Sequence, residues 1–182
     1  MLDIDIDIYI LSKKFFTTRE KMEKCIDRLL PKNTTKKKFV DMISKEMSSK
    51  FTIFTDGASK GNPGPSGAGI YILMNNQPIL ELAIPLGIKT NNEAEYLALL
   101  IACENINSWM NEEYDTLEIY SDSKLAVEQI KGNWKVNDKR LKIYNSKILH
   151  ILRNKKFTIQ HVYRENNKVA DKLANIGVKK LK

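Results

Sequence analysis

Phe51-Thr52-Ile53-Phe54-Thr55-Asp56-Gly57-Ala58-Ser59-Lys60-Gly61-Asn62-Pro63-Gly64-Pro65-Ser66-Gly67-Ala68-Gly69-Ile70-Tyr71-Ile72-Leu73-Met74 is the stretch on which the fold turns. Its apolar, β-branched and aromatic opening, Phe51–Thr55, predicts a strand that ends at Asp56-Gly57. Ser59–Ser66, rich in Gly, Pro and Asn, predicts a loop, and Gly67–Met74 a second strand. Asn75-Asn76 then predicts a turn and Ile79–Leu86 a third strand, so these three strands should be antiparallel and linked by hairpins.

Further along, Thr90-Asn91-Asn92-Glu93 matches a capping box and starts a helix that should run to about Trp109. Thr116–Ser121 predicts a strand, Ser123–Lys131 and Asp138–Leu152 two helices, and Phe157–Tyr163 another strand. Asn167–Val178 predicts a closing helix with Asn167 as its cap. The order β-β-β-α-β-α-α-β-α predicts an α/β fold. Its five-stranded mixed sheet should hold three antiparallel strands and then two parallel ones reached through helical crossovers, with helices on both faces.

Residues 1–50 read as a separate, small extension, leaving 51–182 as the main domain. They hold 12 Lys and Arg against 8 Asp and Glu, half of the chain's net charge of +8. Leu2, Ile4, Ile6, Ile8 and Ile10 alternate with Asp3, Asp5, Asp7 and Tyr9 as in a half-buried strand, which puts the three acids on its solvent face. Thr17-Thr18-Arg19-Glu20 matches a second capping box ahead of Met22, Cys25, Ile26, Leu29 and Leu30, and Pro31 stops that helix. Lys36-Lys37-Lys38 leads into a third element with Phe39, Val40, Ile43 and Met47 at helical spacing. A β-α-α unit of this size makes a poor core alone. It either packs on the main domain or serves as a nucleic-acid or partner-binding module.

The 182 residues, 42% hydrophobic and 29% charged, fit one domain with that appendage. Only Cys25 and Cys103 are present, far apart, which excludes a disulfide framework and fits a reducing compartment. The N-terminus resembles neither a signal nor a transit peptide, and no apolar run approaches membrane-spanning length, so an intracellular, cytoplasmic monomer is expected.

Four acidic segments carry the chemistry: Thr55-Asp56-Gly57, Asn91-Asn92-Glu93-Ala94-Glu95, Ser121-Asp122-Ser123 and Asn167-Lys168-Val169-Ala170-Asp171. Each sets a carboxylate at a strand end or in the first turns of a helix. Asp56-Gly57 is also a common turn pair. Glu93, third after Thr90, suits the capping box. Glu95 lies on another face of a helix whose next residues, Leu97–Ala102, are nearly all apolar, and a carboxylate near a buried face needs a partner or a metal. Asp122 could be a helix cap, with Ser123 as its rival, and Asp171 could simply complement a helix dipole. His150 and His161 fall inside a helix and a strand and suggest structural roles. A basic chain that gathers carboxylates points to hard divalent cations and a polyanionic substrate, hence to a metal-dependent nuclease.

The motifs resemble those of type 1 ribonuclease H. Phe54–Gly64 through Gly67-Ala68-Gly69 is similar to that family's first strand, loop and second strand. Thr90-Asn91-Asn92-Glu93-Ala94-Glu95-Tyr96 resembles its first-helix motif, in which the later acid is the ligand. Ser121-Asp122-Ser123 and Asn167–Asn175 resemble its third and fourth acidic motifs. The resemblance implies an RNase H-like fold and endonucleolytic cleavage of the RNA strand of RNA–DNA hybrid duplexes. It also implies Asp56, Glu95, Asp122 and Asp171 as catalytic metal ligands for two Mg²⁺ ions, with Mn²⁺ as a substitute, and products with 5′-phosphate and 3′-hydroxyl ends. Such a site should be loose without metal, because four carboxylates repel one another. The chain lacks the family's basic protrusion, since Lys131–Val136 runs straight into the next helix. It also has a short connection, Tyr163–Asn166, before the last motif, as in the short-loop branch.

Recognition of RNA requires the 2′-hydroxyl to be read, with Gly57, Ser59, Asn91 and Asn92 as candidates. Thr90 and the free N–H groups of its helix start suit a phosphate. Lys60 and Asn62 would add salt-sensitive affinity, with Ser123 as a further contact. Trp134 either stacks on a sugar or packs in the core, and Arg164 either grips phosphate and aids product release or is a plain surface residue. A binding module without catalysis is disfavoured by the presence of all four acids. A DNA-cleaving relative of the same fold is disfavoured by Asn91-Asn92.

Overall fold

The computed structural model describes residues 48–110, 112 and 115–181. The strand and two helices expected in residues 1–47 lie outside them. β1 (Lys50–Ser59) is the central strand of a five-stranded sheet of order β3-β2-β1-β4-β5. β2 (Gly64–Met74) pairs antiparallel with β1, and β3 (Gln77–Lys89) pairs antiparallel with β2. β4 (Thr116–Ser121) runs parallel to β1, and β5 (Lys156–His161) parallel to β4. Both central residues of the β2–β3 turn, Asn75 and Asn76, have positive φ (51° and 65°), the twist that matches a tight hairpin and that Asn tolerates better than most residues.

The expected loop at Ser59–Ser66 is much shorter. β1 continues through the pairs Asp56↔Gly69, Gly57↔Ala68, Ala58↔Gly67 and Ser59↔Ser66, and only residues 60–63 turn. Asp56 therefore does not end β1. It does stand just beyond the last parallel pair, Thr55↔Ser121, so the β4 side of the strand is open there. This asymmetry makes a cleft at one end of the sheet.

Residues opposite one another share a face of the sheet. Ile72, Ile53, Ile119 and Ile159 form one such row, and Phe51 and Leu117 another. All are at most 4% exposed. Each fully buried apolar side chain of this size contributes roughly 1.5–3 kcal/mol. This face is covered by α1 (Asn91–Asn107), whose middle is buried nearly all round through Ala94, Tyr96, Ala98, Leu99, Leu100, Ala102, Cys103 and Ile106. Two further helices, α2 (Lys124–Ile130) and α3 (Lys139–Leu152), pack against α1. A short 3₁₀ turn, Arg164–Asn166, leads into α4 (Lys168–Lys179), which packs on β2, β3 and β1. A Cβ added at Gly69 would overlap the Ala170 carbonyl, so α4 lies backbone against backbone on β2. Gly69 is paired with Asp56, which puts the start of α4 at the same end of the sheet as the cleft.

Candidate active site at the open end of the parallel ladder

Asp56, Glu95 and Asp122 meet at this end, with one carboxylate oxygen from each within 4.8 Å of the others. Asp56 and Glu95 are buried and Asp122 is half-buried. Asp56 comes from β1 beyond the last β4 pair, Asp122 from the residue after β4, and Glu95 from the first turns of α1. Glu95 reaches them because Gly57 has no side chain. A Cβ there would overlap the Glu95 backbone nitrogen, and the Gly57 N–H donates to Glu95 Oε2 at 3.1 Å.

Glu93 and Glu95 differ in their partners. Glu93 Oε2 accepts from Thr90 N at 3.0 Å and Thr90 Oγ1 at 2.8 Å, completing the capping box, and from Arg140 Nη1 at 3.2 Å. Burial pushes its carboxyl upward, but the Thr90 bonds and Arg140 outweigh that and hold it below the usual carboxylate range. Glu95 goes the other way. Burial first, then the charges of Asp56 and Asp122, push its carboxyl well above the ordinary value against the opposing pull of the Gly57 N–H and Arg164. Burial and the neighbouring charges of Asp122 and Asp171 likewise push Asp56 up to about 7. Three oxygen donors so placed can hold a hard cation, and without one Asp56 and Glu95 favour protons.

Asp171 stands outside that group of three. Its carboxylate accepts from Arg164 Nη2, a side chain otherwise largely exposed, although its charge still acts on Asp56. Asn167 is the residue that local sequence reasoning missed. It occupies the cap position of α4 but makes no side-chain cap bond. Its Nδ2 donates instead to Thr55 O at 2.9 Å and to Asp122 Oδ1 at 3.0 Å. No local signal marks this, because the Thr55 contact spans 112 residues of sequence.

The other expected contact residues divide. Asn91, Asn92 and Lys60 are exposed. Trp134 is 46% exposed, which removes core packing as its role. Its loop is anchored from below, where Gln129 Nε2 donates to Lys135 O at 2.9 Å and Gln129 Oε1 accepts from the buried Tyr96 hydroxyl at 2.8 Å. Ser59 Oγ is turned to the backbone, 2.6 Å from Gly61 O and 2.9 Å from Lys89 O. Ser123 caps α2 by accepting from Ala126 N at 3.4 Å. Asn62 Oδ1 accepts from Asn91 N at 3.0 Å. With Thr90 N taken by Glu93 and Glu93 N by Thr90, three of the N–H groups expected to be free for an anion at the start of α1 are already engaged.

Residues 54–177 match the protein family described as Reverse transcriptase-like. Ribonuclease HI of Halobacterium salinarum is 31% identical over 151 residues, which cover 82% of this chain and 74% of that protein. The chain belongs to the type 1 ribonuclease H family. The crystal structure of RNase H1 from the same archaeon superposes with a TM-score of 0.66 at 33% identity, covering 72% of this chain and 98% of that one. LC11-RNase H1, isolated from compost and solved in complex with an RNA/DNA hybrid, gives a TM-score of 0.67 at 36% identity with the same coverage. The protein is thus a ribonuclease H enzyme with the expected five-stranded mixed sheet. Among the described residues of this ribonuclease H, no helix is long and apolar enough to cross a membrane.

Proposed function

We propose that this ribonuclease H cleaves the RNA strand of RNA–DNA hybrid duplexes at Asp56, Glu95, Asp122 and Asp171. The observation that carries this reading is the convergence of Asp56, Glu95 and Asp122 within 4.8 Å in a chain of this family. The hybrid bound by LC11-RNase H1 supports the choice of substrate. The donor set is all oxygen, two of its three acids are buried and the acids repel one another, which fits Mg²⁺, with Mn²⁺ as a substitute. When bound, a pair of Mg²⁺ ions supplies a more basic attacking water and a stabilised leaving oxygen, which gives 5′-phosphate and 3′-hydroxyl ends.

The chain's own residues set the stage for that chemistry. Gly57 fixes Glu95 through its N–H, so the carboxylate keeps one oxygen aimed at the cluster. Arg164 holds Asp171 at the edge of the site and releases it when substrate phosphate competes for the guanidinium. The exposed Asn91 and Asn92 meet sugar and base edges beside the 2′-hydroxyl, for which their amides offer both donor and acceptor. Trp134 and Lys135, on the anchored loop, meet the DNA strand, and Lys60 adds backbone affinity.

The deciding experiment offers labelled RNA–DNA hybrid, RNA duplex and DNA duplex to the full chain with Mg²⁺ or EDTA. The hybrid should be cut with Mg²⁺ only, and Asp122→Asn should abolish cutting with an unchanged circular-dichroism spectrum. Cutting of the DNA duplex in place of the hybrid, or normal activity of Asp122→Asn, would refute the proposal.

A further inference from the structure

We infer that Asn167 is a positioning residue that aims Asp122 at the bound divalent cation, an inference that rests on the reading of the carboxylate cluster above. Asn167 is 1% exposed. At a helix cap position an Asn side chain ordinarily accepts from an N–H of the first turn, and this one does not. Its amide donates across two other elements, to Thr55 O in β1 and to Asp122 Oδ1 after β4. These acceptors lie at and just past the last rung of the parallel ladder, Thr55↔Ser121. Its own carbonyl accepts the Asp171 N–H at 3.0 Å. One side chain and its backbone therefore link the segments that carry Asp56, Asp122 and Asp171.

Both acceptors, a carbonyl and a carboxylate, demand a donor, which fixes the orientation of the amide. The remaining Oδ1 is buried with no hydrogen-bond partner. An unsatisfied buried acceptor is costly, and a side chain kept only for packing or for capping would not carry that cost. The neutrality of the donor matters as well. Arg164 brings a full positive charge to Asp171, whereas the Asn167 amide pins one oxygen of Asp122 and leaves its negative charge undiminished for a cation.

The test is a calorimetric titration of Mn²⁺ into the nucleic-acid-free full chain, as wild type, Asn167→Ala and Asn167→Ser, with thermal melts in EDTA and hybrid-cleavage kinetics alongside. Serine is a favoured helix cap and keeps α4 supported, but it is too short to reach Asp122 and Thr55 O together. Both variants should bind Mn²⁺ about 10- to 100-fold more weakly, with slow cleavage that recovers at high metal and a KM for hybrid within about twofold of wild type. Asn167→Ser should melt in EDTA close to wild type, which separates the metal effect from folding even if Asn167→Ala folds poorly. Wild-type Mn²⁺ affinity in Asn167→Ser would overturn the inference and leave Asn167 a purely structural residue. A wild-type chain that takes up no divalent cation would instead sink the reading of the cluster itself.

Discussion

Glu93 and Glu95 stand two residues apart on the same helix and meet opposite electrostatic fates. Glu93 faces the junction of α1 and α3, where the Thr90 N–H, the Thr90 hydroxyl and Arg140 all favour its ionised form. Glu95 faces the open end of the parallel ladder, where burial and two neighbouring acids oppose ionisation and outweigh the Gly57 N–H and Arg164, which favour it. The difference teaches that a carboxylate's role is set by what surrounds it. The first region is complete without a cation and supports the fold. The second is electrostatically incomplete and is the one that could hold a cation.

Neutralising each acid separates the two regions most sharply. Glu95→Gln should lower the rate of hybrid cleavage by about a thousandfold or more, the equivalent of several kcal/mol of transition-state stabilisation. The same change should raise the melting temperature in EDTA at alkaline pH, because it removes a buried like charge. A variant that keeps its activity would erase the contrast.

Acidity probes the incomplete region next. The Asp56 carboxyl titrates at about 7 in the folded chain against an ordinary 3.8, so the folded state holds this proton more tightly than the unfolded one. The corresponding stability is fully present below pH 3.8 and is lost as pH rises through about 7. Melts in EDTA should thus show declining stability between these limits, and Mg²⁺ should restore it increasingly above neutrality as it displaces the proton. Equal Mg²⁺ stabilisation at pH 5.5 and 8 would contradict this sign.

The smallest effects belong to the complete region. Glu93→Ala should cost about 1 kcal/mol of stability through loss of the capping box, measured by denaturant unfolding, with cleavage nearly unchanged. Arg140→Ala should cost less than about 1 kcal/mol, because that guanidinium is largely exposed and screened. A large loss of activity from Glu93→Ala would mean that the two regions are coupled.

Much of this arrangement was legible in the chain. Alternation of Leu117 and Ile119 with Glu118 and Tyr120 gave β4 its buried face, Asn75-Asn76 gave the hairpin, and Thr90 with Glu93 gave the start of α1. These signals are local, and their partners lie within a few residues. What escaped was non-local. The Gly- and Pro-rich composition of Ser59–Ser66 suggested a loop, but pairing with β2 extends β1 through Ser59. Nothing near Gly57 in the sequence signals that its missing Cβ and its N–H serve Glu95, 38 residues away. Asn167 looks like an ordinary cap because its true acceptors, Thr55 in β1 and Asp122 just after β4, are far away in sequence. Asp171 was expected among the other acids, and its pairing with Arg164 depends on the path of the short 3₁₀ turn between them.

The seat of α4 on Gly69 has a consequence for how this protein can change over generations. Main chain rests on main chain there, so no side chain acts as a spacer between the helix and the strand opposite Asp56. Swapping core residues for others of different size would alter the far layer of the molecule while leaving this seam at its fixed thickness. Sequence drift in the interior is thereby decoupled from the placement of the acids, provided the glycine stays.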